Sequence, residues 1–425
     1  MKFSIPKGVF DILPQDPKLE NIWRSSHLWQ HIESLAREVA QRFSTKEIRT
    51  PIFERSELFQ RSVGETSDIV SKEMYVFEDK GGRSMALRPE GTASVMRAFL
   101  DKKLYNLSQI NKLFYIGPMF RYERQQAGRY RQHHQFGVEA IGDASPEQDV
   151  EILDMMTTFF KAIGLKDITL HINSVGDLES RQNYRKILQD NLRPHLSEMS
   201  EDSNVRFEKN PLRILDSKDP LDQKFISEIP SILDSLNDDC RKHFENVCKL
   251  LDDIGIKYNI NPRLVRGLDY YTKTVFEFTT SELGSQNSIG GGGRYDGLIK
   301  SLGGPDLPAI GFGIGLERII QTALAQGLEI AVKPTVSLFI IPMGDSAKIH
   351  AFKLLHKLRQ SGLDCEMDFS GKKVKNAFRY ADSIGAQNTI VIGDQEIESG
   401  VVTIKNMASR EAKEISIAKI AEALC

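Results

Sequence analysis

The sequence predicts a chain of two or three domains that mixes helices with strands and hairpins and ends in a small α/β domain with a largely parallel sheet. Three observations lead there. The 425 residues exceed what one hydrophobic core usually supports. Strand-like runs such as KLFYIGPMFRYE and HQFGVEAIG flank a polar, arginine-rich stretch, as in a hairpin. From VSLFIIP onward, strand and helix patterns alternate.

Taken in order, LPQDPKLENIW opens a long helix, capped by Asp16 with Pro17 at its first position. Leu28, Ile32, Leu35, Val39 and Phe43 form its apolar stripe. KEIRTPIFE reads as an extended strand through Pro51. EMYVFED and SMALRPE pair as a hairpin around Gly81 and Gly82, and a helix follows from about Glu90 to Leu100. After the arginine-rich hairpin, residues 174–258 become highly charged with helical periodicity, an expected helical insertion with Phe244, Val247, Leu251 and Ile254 as one stripe. Strands return in DYYTKTVFEFTT, IGGGGRYDGL and AIGFGIGL, the last running into a helix. A linker is expected at 328–335, and the α/β domain occupies 336–425.

Composition narrows the function. Hydrophobic residues at 40% and charged residues at 27% are the balance of a soluble globular protein. A formal charge of −2 means that any nucleic-acid contact must come from local basic patches. MKFSIPKGVF has no apolar core of a secretory signal, and no run is long enough to span a bilayer, so no membrane segment is expected. Cys240, Cys248, Cys365 and Cys425 are widely spaced without a CxxC pair, which argues against zinc and a disulfide framework and for a reducing cytoplasm.

The stretch RYERQQAGRYRQHHQ, residues 121–135, holds the chemistry. In a hairpin, Gly117, Met119, Arg121 and Glu123 share one face, as do Gln135, Gly137 and Glu139. Gly137 leaves a slot for a small ligand between an amide and a carboxylate, with the Arg121 guanidinium approaching to grip a carboxylate or phosphate. Arg124, Arg129 and Arg131 in the loop reach further phosphates. In LVRGLDYYTKTVFEF, Arg266 precedes Gly267, and Tyr270 and Tyr271 point to opposite faces of a strand. Gly311, Gly313 and Gly315 alternate, clearing one strand face as a bed for a flat base or its phosphates, and Arg318 follows in the next helix. GFGIGL lacks the spacing of a dinucleotide fingerprint, and there is no GxxxxGK[ST] phosphate loop.

These residues resemble a known family. TPIFE, LRPEGT, FRYER…GRYRQ…HQFGVEAIG, RGLDYYTKTVFEF, GGGGRYD and GFGIGLER match, in order, the motifs of histidyl-tRNA synthetases, which are class II aminoacyl-tRNA synthetases. The resemblance covers nearly the whole chain. It implies an α+β catalytic domain, residues 1–327, built on an antiparallel sheet flanked by helices and carrying the insertion, with a C-terminal α/β anticodon-binding domain. The first motif, with Pro51 and the helix before it, implies a homodimer. By the same resemblance Glu90, Gly91 and Thr92 hold the α-amino group of histidine. Gln135 and Glu139 contact the bound amino acid, and Tyr270 and Tyr271 line its imidazole pocket. Arg121 and Arg266 are the catalytic arginines at the α-phosphate and carboxylate. Arg124, Gly311, Gly313 and Arg318 serve ATP. The chain departs from the pattern at His133, where relatives carry a bulky apolar residue, and at Gly313, where they carry alanine.

The activity implied is two-step. Histidine and ATP give histidyl-adenylate and pyrophosphate, and the histidyl group then passes to the 3′ end of tRNA(His) in the cytoplasm. Magnesium accompanies ATP, and no dedicated protein metal site is expected. Arg129 and Arg131, with Lys372, Lys373, Lys375 and Arg379 in FSGKKVKNAFRYAD, are the expected tRNA contacts. Two rivals share the fold: a regulatory subunit of ATP phosphoribosyltransferase, and a tRNA-sensing domain of a longer kinase. Retention of Arg121, Gln135, Glu139 and Arg266, a full C-terminal domain and the chain length favour the enzyme.

Overall fold

The computed structural model describes residues 3–64, 67, 69–123, 128–282, 287–331, 336–371 and 373–424. Arg124 and Lys372 therefore lie outside the described residues, as do Cys425 and residues 332–335 of the expected linker. The chain divides into two compact units, Met1–Ala331 and Val332–Cys425.

The first unit begins with a 3₁₀ turn, Leu19–Arg24, and helix α1, Ser26–Arg42. This corrects the expected start at Pro17. Ser25 is extended, and Leu13 exchanges backbone hydrogen bonds with Arg24 and Ser26, so the turn cannot run on into the helix. Asp16 instead caps locally, accepting from the Lys18 amide at 2.9 Å. Leu28, Ile32 and Val39 are buried on α1 as the stripe requires. The expected KEIRTPIFE strand splits into β1 (Lys46–Glu47) and β2 (Phe53–Arg55), which join different sheets. Pro51 between them has no N–H to offer a ladder. Next come α2 (Ser56–Val63) and the hairpin strands β3 (Val76–Glu78) and β4 (Ser84–Leu87), which form a small sheet with β2. Helix α3 (Thr92–Asp101) leads to the long strands β5 (Asn111–Phe120) and β6 (Gln132–Ile141).

Sequence reading passed over α4 (Pro146–Ile163) and β7 (Ile168–Ser174). A start signal for α4 is present: Ser145 caps it, accepting from the Gln148 amide, and Pro146 takes the first position. The insertion follows with α5 (Leu178–Leu192), α6 (Glu201–Lys209), α7 (Pro220–Ile226) and α8 (Asp238–Asp253). It has its own core around Tyr184, Leu188, Phe207 and Ile214. Helix α8, however, packs on α4, and its Phe244, Val247 and Leu251 enter the main core, while Ile254 lies past the helix end and is exposed. Thus the self-contained part of the insertion ends before α8.

Strands β8 (Asn259–Ile260), β9 (Thr272–Thr280) and β10 (Ser288–Arg294), the short helix α9 (Leu298–Ser301), β11 (Ala309–Gly315) and α10 (Leu316–Ala325) complete the unit. The main sheet runs β1-β5-β6-β11-β10-β9-β7-β8. Its six central strands are antiparallel throughout, and the two-residue strands β1 and β8 add to its edges in parallel. Helices α1, α4, α8 and α10 bury one face around Phe136, Phe159, Phe276 and Phe312. Leu328, Ile330 and Ala331 pack against this same core.

The second unit comprises β12 (Leu338–Pro342), α11 (Asp345–Gln360), β13 (Cys365–Met367), α12 (Val374–Ser383), β14 (Asn388–Ile392), α13 (Asp394–Ser399), β15 (Val401–Asn406), β16 (Ala412–Ser416) and α14 (Ile420–Leu424). Its sheet order is β13-β12-β14-β15-β16. The first two pairings are parallel and the last two antiparallel, so the sheet is mixed. No helix among the described residues is long and apolar enough to cross a membrane.

Candidate active site

The β5–β6 hairpin sets the geometry. Its register pairs Leu113 with Glu139, Tyr115 with Gly137 and Gly117 with Gln135, so these residues share one sheet face. The slot expected over Gly137 is filled, because the Tyr115 ring lies across it. A Cβ on Gly137 or on Gly91 would run into that ring. The glycines admit a neighbouring tyrosine, where sequence reading gave the space to a ligand.

Glu139 is the centre of this face. Its Oε1 accepts from Thr92 Oγ1 at 2.7 Å and from the Tyr115 hydroxyl at 3.3 Å, while Oε2 accepts from the Tyr295 hydroxyl. Burial drives its pKa up to about 8, against the hydrogen bonds of Tyr295 and Thr92. Glu90 caps α3: its carboxylate accepts from the amides of Thr92 at 2.7 Å and Ala93 at 2.8 Å. Burial raises its pKa despite those bonds. Tyr270 and Tyr271 lie before β9, not on it. Their ring centroids are 4.8 Å apart, and Tyr270 packs edge-on to Tyr295 at 5.4 Å. The expected alternation of the two across a strand therefore does not apply, and both rings crowd one side of the pocket.

Beside this pocket along the same strands lies a cavity of about 380 Å³. Arg121, Arg129, Arg266 and Arg318 line it, over a floor that includes Gly313 and Gly315. Arg121 is held by its Nε donating to the Pro89 carbonyl at 2.8 Å. Arg266 Nη1 donates to Glu277 Oε1 at 2.5 Å. Burial opposes its charge, but Glu277, with Tyr271 and Asp216, outweighs it and keeps the guanidinium above its ordinary pKa. Arg318 donates to the carbonyls of Gly128 at 3.1 Å and Ser288 at 2.5 Å. Arg129 lies 3.2 Å from Glu123. Of the buried atoms here, Gln135 Oε1 and Arg266 Nε find no hydrogen-bond partner among the described residues.

The glycine-floored strand is covered unevenly. A Cβ on Gly311 would strike the Glu139 carboxylate, and one on Gly313 the Gln135 amide, whereas Gly315 is open. The expected bed for a base is thus occupied at two of its three glycines by the residues expected to hold the amino acid. Arg131 does not face the cavity. Its guanidinium stacks 3.8 Å from the Tyr122 ring centroid, and its chain lies over Gly8. Lys373, Lys375 and Arg379 are exposed at and along α12 in the second unit. A larger cleft of about 600 Å³, beside Lys46, Asn111 and Glu151, is lined by none of the predicted residues.

Sequence reading missed Tyr115, Tyr295 and Glu277. A signal existed for the last two: Tyr295 lies two residues past the end of the glycine run, just after Arg294, and Glu277 is the one charged residue between the apolar positions of VFEF. Tyr115 gave none, because only the cross-strand register brings it over Gly137. Among the described residues no group of three or more His, Cys, Asp or Glu is placed to hold a metal ion. Two of the cavity's carboxylates, Glu123 and Glu277, are paired with arginines.

An enclosed carboxylate ringed by hydroxyls, next to an arginine-walled cavity, suits an amino acid with a polar side chain beside a polyphosphate. Comparison with known proteins agrees. A family model for histidyl-tRNA synthetase matches residues 24–319, and one for an anticodon binding domain matches residues 337–424. The histidine–tRNA ligase of Protochlamydia amoebophila is 56% identical over 424 residues, covering 100% of both chains. That of Halothermothrix orenii is 49% identical over 99% of each. The crystal structure of apo S. aureus histidyl-tRNA synthetase superposes with a TM-score of 0.84 at 40% identity, covering 100% of both chains. With matches spanning both units, the chain belongs to the histidyl-tRNA synthetase family.

Proposed function

We propose that this chain is a histidine–tRNA ligase that activates L-histidine with ATP and charges tRNA(His). The observation that carries the reading is the juxtaposition of Glu139, ringed by three hydroxyl donors, with a cavity walled by four arginines on the same sheet face. The imidazole sits against Glu139 and the Tyr270–Tyr271–Tyr295 cluster. Glu90, Thr92 and the Gln135 amide oxygen, which has no partner among the described residues, take the α-amino group, with Gly91 keeping the backbone close.

In the first step a histidine carboxylate oxygen attacks the α-phosphorus of ATP. The new P–O bond forms as the bond to the β-phosphate oxygen breaks and pyrophosphate leaves. Charge builds on the α-phosphate oxygens, so fixed guanidinium groups are the main catalytic resource. Arg121 and Arg266 supply them. Arg318 and Arg129, with Arg124 from the same loop, hold the outer phosphates over Gly313 and Gly315; Gly311 serves to seat Glu139. Magnesium enters with the ATP phosphates. In the second step a terminal ribose hydroxyl of tRNA attacks the acyl carbon and AMP leaves. Lys372, Lys373, Lys375 and Arg379 of the second unit contact the anticodon arm, and Arg131 steadies the hairpin under the acceptor end. The protein works as a homodimer in the cytoplasm, with β1 and the segment around Pro51 at the dimer contact.

Pyrophosphate exchange screened across the proteinogenic amino acids tests this. Exchange with histidine alone is the expected result. Absence of exchange with every amino acid would overturn the reading and favour the non-catalytic regulatory subunit.

A further inference from the structure

Arg294 is fully buried, with no exposed surface, yet charged. All five of its N–H groups are used. Nε donates to Asp149 Oδ1 at 2.9 Å, and Nη2 donates to the same oxygen and to the Ser145 carbonyl at 3.2 Å. Nη1 donates to the Asp143 carbonyl and to Asp296 Oδ1, both at 3.0 Å. Asp149, also fully buried, turns its other oxygen to His243 Nε2 at 2.8 Å. A buried guanidinium with so complete a set of partners is costly to assemble, and replacing it by apolar packing is often no less stable. Stability alone therefore explains it poorly.

Its position suggests a use. Arg294 ends β10, and Tyr295 follows immediately. Neighbouring residues in extended chain point to opposite sides. Arg294 is gripped by α4, and through Asp149 by α8, on the helix-covered side. Tyr295 reaches the other side and donates to Glu139. The chain between them is pinned as well: the Tyr295 amide donates to the Ala309 carbonyl at 2.8 Å, and Asp296 Oδ1 accepts from the Ala309 amide at 3.3 Å. Arg294 and Tyr295 are thus held from opposite sides of the end of β10, so the seat of Arg294 fixes the backbone from which Tyr295 reaches Glu139. His243 lies on α8, the helix that brings the chain back from the insertion to the main sheet.

We infer that Arg294, Asp149 and His243 form a positioning relay that sets the Tyr295–Glu139 contact, and through it histidine selection, from the helix at the exit of the insertion. This rests on the proposed ligase reading. None of the three residues touches the substrate; they act through Tyr295.

The test uses the full-length protein in histidine-dependent pyrophosphate exchange, with active sites counted by adenylate burst. His243→Phe keeps the volume and removes the donor to Asp149, and His243→Gln keeps a donor. The expected result is a KM for histidine raised about tenfold in His243→Phe with the KM for ATP unchanged, and recovery of most of that loss in His243→Gln. A merely structural role lowers the thermal midpoint and the count of active sites without moving the KM of those that remain, and that outcome overturns the inference. Equal changes in both KM values overturn it too. If neither His243 variant folds, Arg294→Lys, which keeps the charge and loses the fork, is read by the same KM split. Wild-type protein without exchange marks failure of the ligase reading itself, distinct from failure of the relay.

Discussion

Thr92 Oγ1 donates to Glu139 Oε1 at 2.7 Å, tying the first turn of α3 to the C-terminal part of β6 across 47 residues of chain. The contact joins the residues proposed for the two ends of histidine, its amino group and its ring, in one buried network. Glu139→Ala is expected to weaken histidine binding by about a hundredfold, because buried donors on Tyr295 and Thr92 lose their acceptor. ATP binding should change by less than about threefold, since the arginine cavity is left intact. Separate titrations of the two ligands check this, and equal losses would remove Glu139 from the pocket.

The same carboxyl makes the unliganded protein pH-sensitive. Burial raises its pKa from 4.5 to about 8 on folding, so the folded state holds the proton more tightly than the unfolded one. The contribution of this group to stability is full below pH 4.5 and is lost as pH rises through 8. Across that window the slope reaches at most about 1.4 kcal/mol per pH unit. Glu139→Gln removes this titration, so the wild-type minus variant difference in unfolding free energy should fall from about pH 4.5 to about pH 8 and then level off. Urea melts at a series of pH values measure it; a flat difference would mean that Glu139 stays ionised when buried.

Arg266 spends one nitrogen on Glu277 and leaves buried Nε beside the cavity without a partner among the described residues. That arrangement fits a guanidinium aimed by Glu277 and waiting for a phosphate. Arg266→Ala should lower histidine-dependent pyrophosphate exchange by about a thousandfold or more while circular dichroism stays native. Arg266→Lys should recover little, because a point charge cannot bond Glu277 and substrate together. Near-normal exchange in Arg266→Ala would sink its catalytic role.

Much of this arrangement is legible in the sequence, but unevenly. The β5–β6 hairpin is readable because two apolar runs flank a loop too charged for any core. The glycine strands β10 and β11 stand out because glycine weakens a strand unless something must approach it. What approaches is not readable: Gln135 and Glu139 cover Gly313 and Gly311, and Tyr115 covers Gly137, through register alone. Helix α4 escaped because Val150, Ile152, Leu153, Met155 and Met156 are all buried, so it is covered on several sides and shows no clean stripe. In the second unit the antiparallel pairing of β15 and β16 depends on which edge the chain returns to, and β16 itself is mostly exposed and polar.

Removing residues from 332 onward tests the role proposed for the second unit. The first unit contains every residue assigned to histidine and ATP and closes its own core with Ile330. Exchange with histidine should therefore persist within about threefold, while the KM for tRNA in aminoacylation rises by about a hundredfold with loss of the basic α12 face. Charging with an unchanged KM for tRNA would refute the anticodon assignment.

Gly137 offers the sharpest test of the site geometry, because its φ is not in the left-handed region and the nearest obstacle to a side chain is the Tyr115 ring. In Gly137→Ala the ring must swing aside, and its hydroxyl then loses Glu139, 3.3 Å away. Overpacking of this kind costs about 1–3 kcal/mol. Gly297→Ala is the matched control, since a Cβ there meets nothing within 4 Å. The expected outcome is lower stability and a higher KM for histidine in Gly137→Ala, with Gly297→Ala close to wild type in both. In a Tyr115→Ala background the Gly137→Ala substitution should cost little, because the ring it displaces is gone, and a double-mutant cycle in urea unfolding gives the coupling. If Gly137→Ala costs as much without Tyr115 as with it, the ring does not fill the slot over Gly137.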